Sequence, residues 1–190
     1  PAQTNSPVGT YPIQVSGQSA ANYTIQYVDG TLSVGPAPLV VEAADASRTY
    51  GQTNPVFTAS LSGFVNGEGS NVLGGQLVFS SPAQTNSPLG SYPIVAGGLS
   101  ATNYSLSYSN GTLTVTAYAL SVKADDQSRS YGSANPLLTG SLVGVQEGDN
   151  ISASFSTVAT AGSPVGTYSI VPTLHDPDGK LTNYSGSLNN

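Results

Sequence analysis

The octapeptide SPVGTYPI (residues 6–13) returns as SPLGSYPI (residues 87–94) and again as SPVGTYSI (residues 163–170). Its Ser-Pro-x-Gly start fits a type I turn, because Pro presets φ at the second position and Gly leaves the fourth without steric cost. A strand should follow, with Tyr11 and Ile13, Tyr92 and Ile94, and Tyr168 and Ile170 facing inward. Pro12 and Pro93 remove a ladder donor and point to an edge or an outward position, and Ser169 restores that donor in the third copy. A turn that launches a tyrosine-bearing strand three times is scaffold, comparable to the corner tyrosines of β-sandwiches.

Working outward, residues 1–36 align with residues 82–117 without a gap, at the offset of 81 that separates Pro82 from Pro1. The same offset carries SRTYGQTNP (residues 47–55) onto SRSYGSANP (residues 128–136), and NYTIQYVDGTLSV (residues 22–34) onto NYSLSYSNGTLTV (residues 103–115). These are tandem units of about 80 residues, the mark of an array. Residues 1–36 read as the closing half of one unit, 37–117 as a complete unit, and 118–190 as a unit without its closing GTLTV strand. With no initiating Met or leader, the chain reads as an excerpt of a longer polypeptide.

Period-two alternation dominates each unit. Leu39, Val41 and Ala43, like Leu120, Val122 and Ala124, share one face of a half-buried strand. Tyr50-Gly51 and Asn54-Pro55, repeated as Tyr131-Gly132 and Asn135-Pro136, mark a turn into a second strand. The last two strands read as a hairpin through a type I′ turn at Asp29-Gly30 or Asn110-Gly111. No segment has a 3.6-residue apolar period, so almost no helix is expected. The expectation is an all-β chain of small Ig-like β-sandwich repeats, with β-grasp-like units as the alternative. Short Pro-containing links, such as residues 35–38, would stiffen such repeats into a rod.

Composition narrows the function classes. The net charge of −6, with only four Lys plus Arg, offers no basic patch to a nucleic acid or an anionic lipid. No apolar run is long enough to insert into a membrane as a helix. Without Cys there are neither disulfides nor thiolate metal sites.

The ordered set SRTYG, NP, SPVGTYPI, NYTIQYVDGTLSV and, in the third copy, DPDGKLTNY resembles the MBG repeat domains of the YGX type. That resemblance covers essentially the whole chain. It implies an extracellular all-β repeat, found in tandem in very large secreted or surface-anchored bacterial proteins such as filamentous-haemagglutinin-like adhesins. It implies no catalytic residues.

Each candidate for chemistry has a plainer reading beside it. His175 is the only His, so a serine nucleophile has one possible base, set next to Asp176 in a loop the other units lack. Asp176 and Asp178 of DPDGK mimic the start of a calcium loop, but no later acidic positions complete it. The Gly-rich GEGSNVLGG (residues 67–75) precedes no helix and lacks a Lys, so it is no phosphate cradle. Arg48 and Arg129, three residues after Asp45 and Asp126, would pin their turns by hydrogen bonds or a carboxylate pair; a glycan contact is the alternative. The recurring tyrosines Tyr11, Tyr92 and Tyr168, Tyr23, Tyr104 and Tyr184, Tyr27 and Tyr108, and Tyr50 and Tyr131 read as structural positions that pack inward with the hydroxyl at a rim. Asn22, Asn103 and Asn183 open repeated glycosylation sequons, which a polar strand start explains equally well. Lys123 and Lys180 are not at equivalent positions, against an isopeptide crosslink.

The resulting expectation is a non-enzymatic segment of a bacterial extracellular fibre or adhesin stalk, located outside the cell or on its surface and without a cofactor. Its partners would be neighbouring repeats of the same protein, with other copies in a filament or host and matrix glycans as further candidates. Two rival readings stay open: a weak glycan-binding surface module, and a filament subunit completed by strand donation between chains.

Overall fold

A computed structural model describes residues 2–189; Pro1 and Asn190, which open the first partial repeat and close the last, lie outside the described residues. The strands are β1 (Gly9–Ile13), β2 (Gly30–Val34), β3 (Ala37–Ala43), β4 (Ala46–Thr49), β5 (Ala59–Ser62), β6 (Gly74–Ser80) and β7 (Gly90–Ser100). They continue as β8 (Tyr104–Ser109), β9 (Gly111–Thr116), β10 (Tyr118–Ala124), β11 (Gly140–Val143), β12 (Ser152–Ser156), β13 (Val171–His175) and β14 (Tyr184–Asn189). Among the described residues the only helical turns are the 3-10 segments Ser70–Val72 and Lys180–Asn183. The chain is all-β, built of β-sandwich-type repeats, and the helix that a β-grasp unit lays across its sheet is not present among those residues.

The backbone packs into two compact units. Unit 1 gathers Pro1–Asp45, Val56–Ser81 and Pro93–Thr112; unit 2 gathers Ala46–Pro55, Pro82–Tyr92 and Leu113–Asn190. Strands β7 and β9 each begin in one unit and end in the other.

In unit 1, β3 is the middle strand of the order β5-β3-β8. It runs antiparallel to β5, with Val41 opposite Leu61, and parallel to β8, with Leu39 opposite Leu106. Its alternation is the one read from sequence: Leu39, Val41 and Ala43 are buried and Pro38, Val40 and Glu42 exposed. Ile94, Ala96 and Tyr104 join them in the core. β1 and β2 form a separate antiparallel pair with Tyr11 opposite Leu32.

Unit 2 repeats the mixed sheet as β11-β10-β14, with β10 antiparallel to β11 and parallel to β14. β12 and β13 pair antiparallel, and β4 runs parallel to β9, with Ser47 opposite Thr114. Tyr50, Val115, Leu120, Ile151 and Tyr184 make its core.

The closing hairpin is absent. Asn110-Gly111 joins β8 to β9, but β8 pairs with β3 whereas β9 lies between β4 and β7. No left-handed turn is needed there, and neither Asn110 nor Gly111 has positive φ. Gly111 is instead required by closeness, since a Cβ would sit 2.7 Å from the Ala43 carbonyl oxygen and 2.6 Å from that of Ala44. In the first partial repeat residues 23–28 form no strand, because β3 has no counterpart among residues 2–36 to pair with them. Tyr23 is accordingly 81% exposed rather than packed inward.

The Ser-Pro turn also lies earlier than expected. Ser6 N–H donates to the Gln3 carbonyl at 3.0 Å, and Gln3 N–H donates to Ser6 Oγ at 2.7 Å. Residues 84–87 and 160–163 close in the same way. The serine thus ends a four-residue turn rather than starting one; the strand begins at Gly9 and at Gly90, whereas in the third copy residues 166–170 form none.

Candidate functional site

In unit 2 the chain leaves β4 through a tight turn in which Gln52 N–H reaches the Thr49 carbonyl at 3.3 Å and Gly51 takes φ +79°. That turn drives Tyr50 into the core, where it is 1% exposed and its own N–H donates to the Thr116 carbonyl at 2.8 Å. The phenol meets Tyr184, at the start of β14, edge to face, with ring centroids 5.6 Å apart and planes at 74°. Both hydroxyls donate to one carboxylate: Tyr50 Oη to Asp149 Oδ1 at 3.0 Å, and Tyr184 Oη to Asp149 Oδ2. Gln146 N–H donates to Tyr184 Oη at 2.9 Å, and the turn 146–149 aims the carboxylate inward.

Burial, and then the bond to Asp149, push the Tyr50 phenol above its ordinary range and the Tyr184 phenol up to about 12. Both hydroxyls are therefore held as donors at physiological pH. Unit 1 has the matching pair: Tyr104 donates to Glu68, accepts Val65 N–H at 3.2 Å and packs edge to face on Phe64. The bond to Glu68, followed by burial, raises the Tyr104 phenol.

A second constellation pins the loops. Arg48, only 7% exposed, donates through Nε to Asn54 Oδ1 at 2.7 Å and through its terminal nitrogens to the carbonyls of Thr49 and Gln84. Asn54 Nδ2 then donates to the Ala83 carbonyl at 2.8 Å. Arg129 and Asn135 repeat this clamp on Ser130, Thr160 and Ala159. The carboxylate offered by the sequence as a partner goes elsewhere, since Asp45 Oδ1 accepts Thr112 N–H at 2.7 Å. Desolvation lowers the Arg48 pKa, a cost the neutral acceptors offset by hydrogen bonding.

Other repeated side chains also hold backbone groups, near and far along the chain. Tyr11, Tyr92 and Tyr168 donate to the carbonyls of Pro7, Pro88 and Pro164 at 2.8, 2.8 and 3.0 Å. Tyr27 and Tyr108 brace the backbone of Gln18 and Leu99. The sequon residues Asn103 and Asn183 accept Val8 N–H and Leu89 N–H, and Asn183 is 5% exposed. Tyr131, by contrast, is 69% exposed although its equivalent Tyr50 is buried.

His175 ends β13 rather than lying in a loop, and its Nε2 is 2.8 Å from Ser154 Oγ on the paired strand. The adjacent Asp176 does not orient that imidazole, because both its oxygens accept backbone N–H groups, of Lys180 at 2.9 Å and of Leu181 at 2.7 Å. Those bonds, led by the one from Leu181, hold the Asp176 carboxyl below its ordinary range. Asp178 is exposed. Among the described residues no three His, Cys, Asp or Glu side chains gather as metal ligands.

Sequence reasoning passed over the acids Glu68 and Asp149, and read Asn54 and Asn135 as turn residues without their bonds to the arginines. The signal was there: each pair stands 81 residues apart, at equivalent places in the repeats. The family model described as MBG domain (YGX type) matches residues 1–33, 39–114 and 120–190. No curated protein and no solved structure matches the chain.

Proposed function

Because the chain belongs to the MBG domain family of the YGX type, a repeat module of extracellular surface proteins, we propose that it is a load-bearing segment of a bacterial extracellular fibre or adhesin stalk. The observation that carries this reading is where the recurring polar side chains are used. Tyr104 on Glu68, Tyr184 and Tyr50 on Asp149, and the Arg48 and Arg129 clamps all bond within the protein. Among the described residues no buried side-chain nitrogen or oxygen lacks a partner, so none is held ready for a ligand. The segment's work is then projection, carried by small cores stapled by phenol–carboxylate bonds, outside the cell or on its surface and without catalysis.

Single-molecule pulling on the 190-residue segment tests it. The expectation is discrete force peaks that shrink when Asp149→Ala removes the acceptor shared by Tyr50 and Tyr184. A segment that extends without resolvable peaks would refute the mechanical role.

A further inference from the structure

The dipeptide Asn-Gly occurs twice in the chain, at residues 66–67 and 110–111. It is reactive because glycine has no Cβ to keep its nitrogen from the preceding side-chain amide. Attack by that nitrogen on the Asn Cγ closes a five-membered succinimide and expels ammonia. Water then opens the ring at Cγ to give aspartate, or at the main-chain carbonyl to give iso-aspartate, whose backbone runs through the side chain and is longer by one methylene. The reaction requires the glycine peptide to swing toward the side chain, and the two sites differ in that freedom.

Asn66 and Gly67 are the central residues of a tight turn closed by Glu68 N–H on the Val65 carbonyl at 3.0 Å. Both have positive φ, 55° and 72°, as a type I′ turn requires, and among the described residues Asn66 is the only non-glycine there. Both are exposed and outside every strand, and nothing lies within 4 Å of a Cβ built on Gly67. Gly111, by contrast, is buried at the start of β9, where an added Cβ would sit 2.6 Å from the Ala44 carbonyl oxygen. The next residue is also fixed, with Thr112 N–H on Asp45 Oδ1 at 2.7 Å.

The contacts on either side of Asn66-Gly67 give the reaction a consequence. Val65 N–H donates to Tyr104 Oη at 3.2 Å, and Glu68 accepts a hydrogen bond from the same hydroxyl, so both flanks of the dipeptide hold one buried phenol. A methylene inserted between them changes the spacing of the two grips. Aspartate does not, because the equivalent turn in the next repeat carries Glu147-Gly148. That turn closes with Asp149 N–H on the Gln146 carbonyl at 3.1 Å, and Asp149 still accepts the Tyr184 hydroxyl.

We propose that Asn66 is a site of spontaneous deamidation through a succinimide with Gly67, and that the iso-aspartate product releases the Glu68–Tyr104 staple of unit 1 while the aspartate product keeps it. The Gly67 nitrogen gives up its proton as the bond to Asn66 Cγ forms. The Cγ–Nδ2 bond breaks, ammonia leaves with that proton, and one water enters on ring opening. Because the attacking nitrogen must be deprotonated, conversion accelerates as pH rises. The inference concerns the chain's own covalent chemistry and does not rest on the mechanical reading.

The test is incubation of the 190-residue chain at mildly alkaline pH, followed by peptide mass spectrometry and labelling with an iso-aspartyl methyltransferase. In the folded chain, conversion at Asn66 should exceed that at Asn110 at least tenfold, and in concentrated urea the two should converge. Asn66→Glu, which copies the turn of the next repeat, should abolish the signal at residue 66. The charge-shifted, iso-aspartate-rich fraction of the aged chain should unfold at lower urea than the fresh chain, whereas freshly purified Asn66→Asp should match it. Comparable conversion at Asn66 and Asn110 in the folded chain overturns the site, and an aged fraction as stable as Asn66→Asp overturns its effect on the staple.

Discussion

Tyr50 and Tyr131 occupy equivalent places in SRTYG and SRSYG, yet replacing each by Ala should have very different consequences for stability. Tyr50→Ala empties a site that is 1% exposed, and loss of a buried aromatic ring costs about 3–5 kcal/mol. It also removes the 3.0 Å bond to Asp149, where a hydrogen bond to a charged group contributes about 1.5–3 kcal/mol, and an edge-to-face contact with Tyr184 worth about 0.5–1.5 kcal/mol. These overlap, and water entering the vacated space restores part of the carboxylate's solvation, so the expected loss is about 4–5 kcal/mol. Tyr131→Ala, at 69% exposure, should stay within about 0.5 kcal/mol. Urea unfolding followed by far-UV circular dichroism at low protein concentration reads both, and thermal scans should separate the two variants by roughly 20 °C. Equal losses in the two variants would refute the claim that burial, rather than repeat position, sets the cost.

Asp149→Asn keeps an acceptor for one phenol and should be markedly milder than Asp149→Ala, with unfolding midpoints as the measure; Glu68→Gln should give the same ranking in unit 1. Because Tyr184 ionises near 12 when folded but near 10 when unfolded, its contribution is complete below pH 10 and is lost as pH rises toward 12; a urea midpoint that stays flat over that range would contradict the burial argument. Gly144→Ala should destabilise by several kcal/mol, since φ is +103° and a Cβ would lie 2.2 Å from the Ala119 carbonyl oxygen, whereas Gly132→Ala, with open space around it, should cost only about 1 kcal/mol. An excised 118–190 fragment should lack cooperative unfolding because Tyr50 and Val115 are missing from its core, and a 46–190 fragment, which spans every segment of unit 2, should recover it in calorimetry.

The features legible in the sequence were those that depend on neighbours close along the chain. The alternation in β3 and β10 assigned their buried faces, because side chains in an extended strand point to opposite sides whatever the partner. Repetition marked the tyrosines and arginines, but it left open which way a tyrosine faces. Tyr50 is buried because Asp149, Ile151 and Tyr184 come from the following repeat, and no local pattern in SRTYG encodes them. The missed hairpin has the same origin. Asn110-Gly111 looks locally like a type I′ turn, but β8 finds β3 more than sixty residues earlier, a pairing that only the full fold specifies. Glu68 and Asp149 were overlooked because single acids in Gly-rich loops read as solvated until the phenols they accept are placed.

The repeat and the compact unit divide the chain differently, and that difference accounts for the pattern of recurrence. A repeat that closed its own core would need only its internal contacts matched, and its loops would be free to drift between copies. Here the stretch from Ala37 to Thr116 divides its residues between two cores: Leu39, Val41 and Ile94 pack in unit 1, while Arg48, Tyr50, Leu113 and Val115 pack in unit 2. Each copy must therefore fit both the preceding repeat and the next one, so SRxYG, NP and GTL recur at fixed spacing although they sit in loops and short strands. Nearest-neighbour dependence of this kind makes each unit's stability partly a property of its sequence neighbours. It also explains why the Arg129 clamp is complete while Tyr131 stays exposed. The clamp is internal to its repeat, whereas Tyr50 is covered by Asp149, Ile151 and Tyr184, which the following repeat provides.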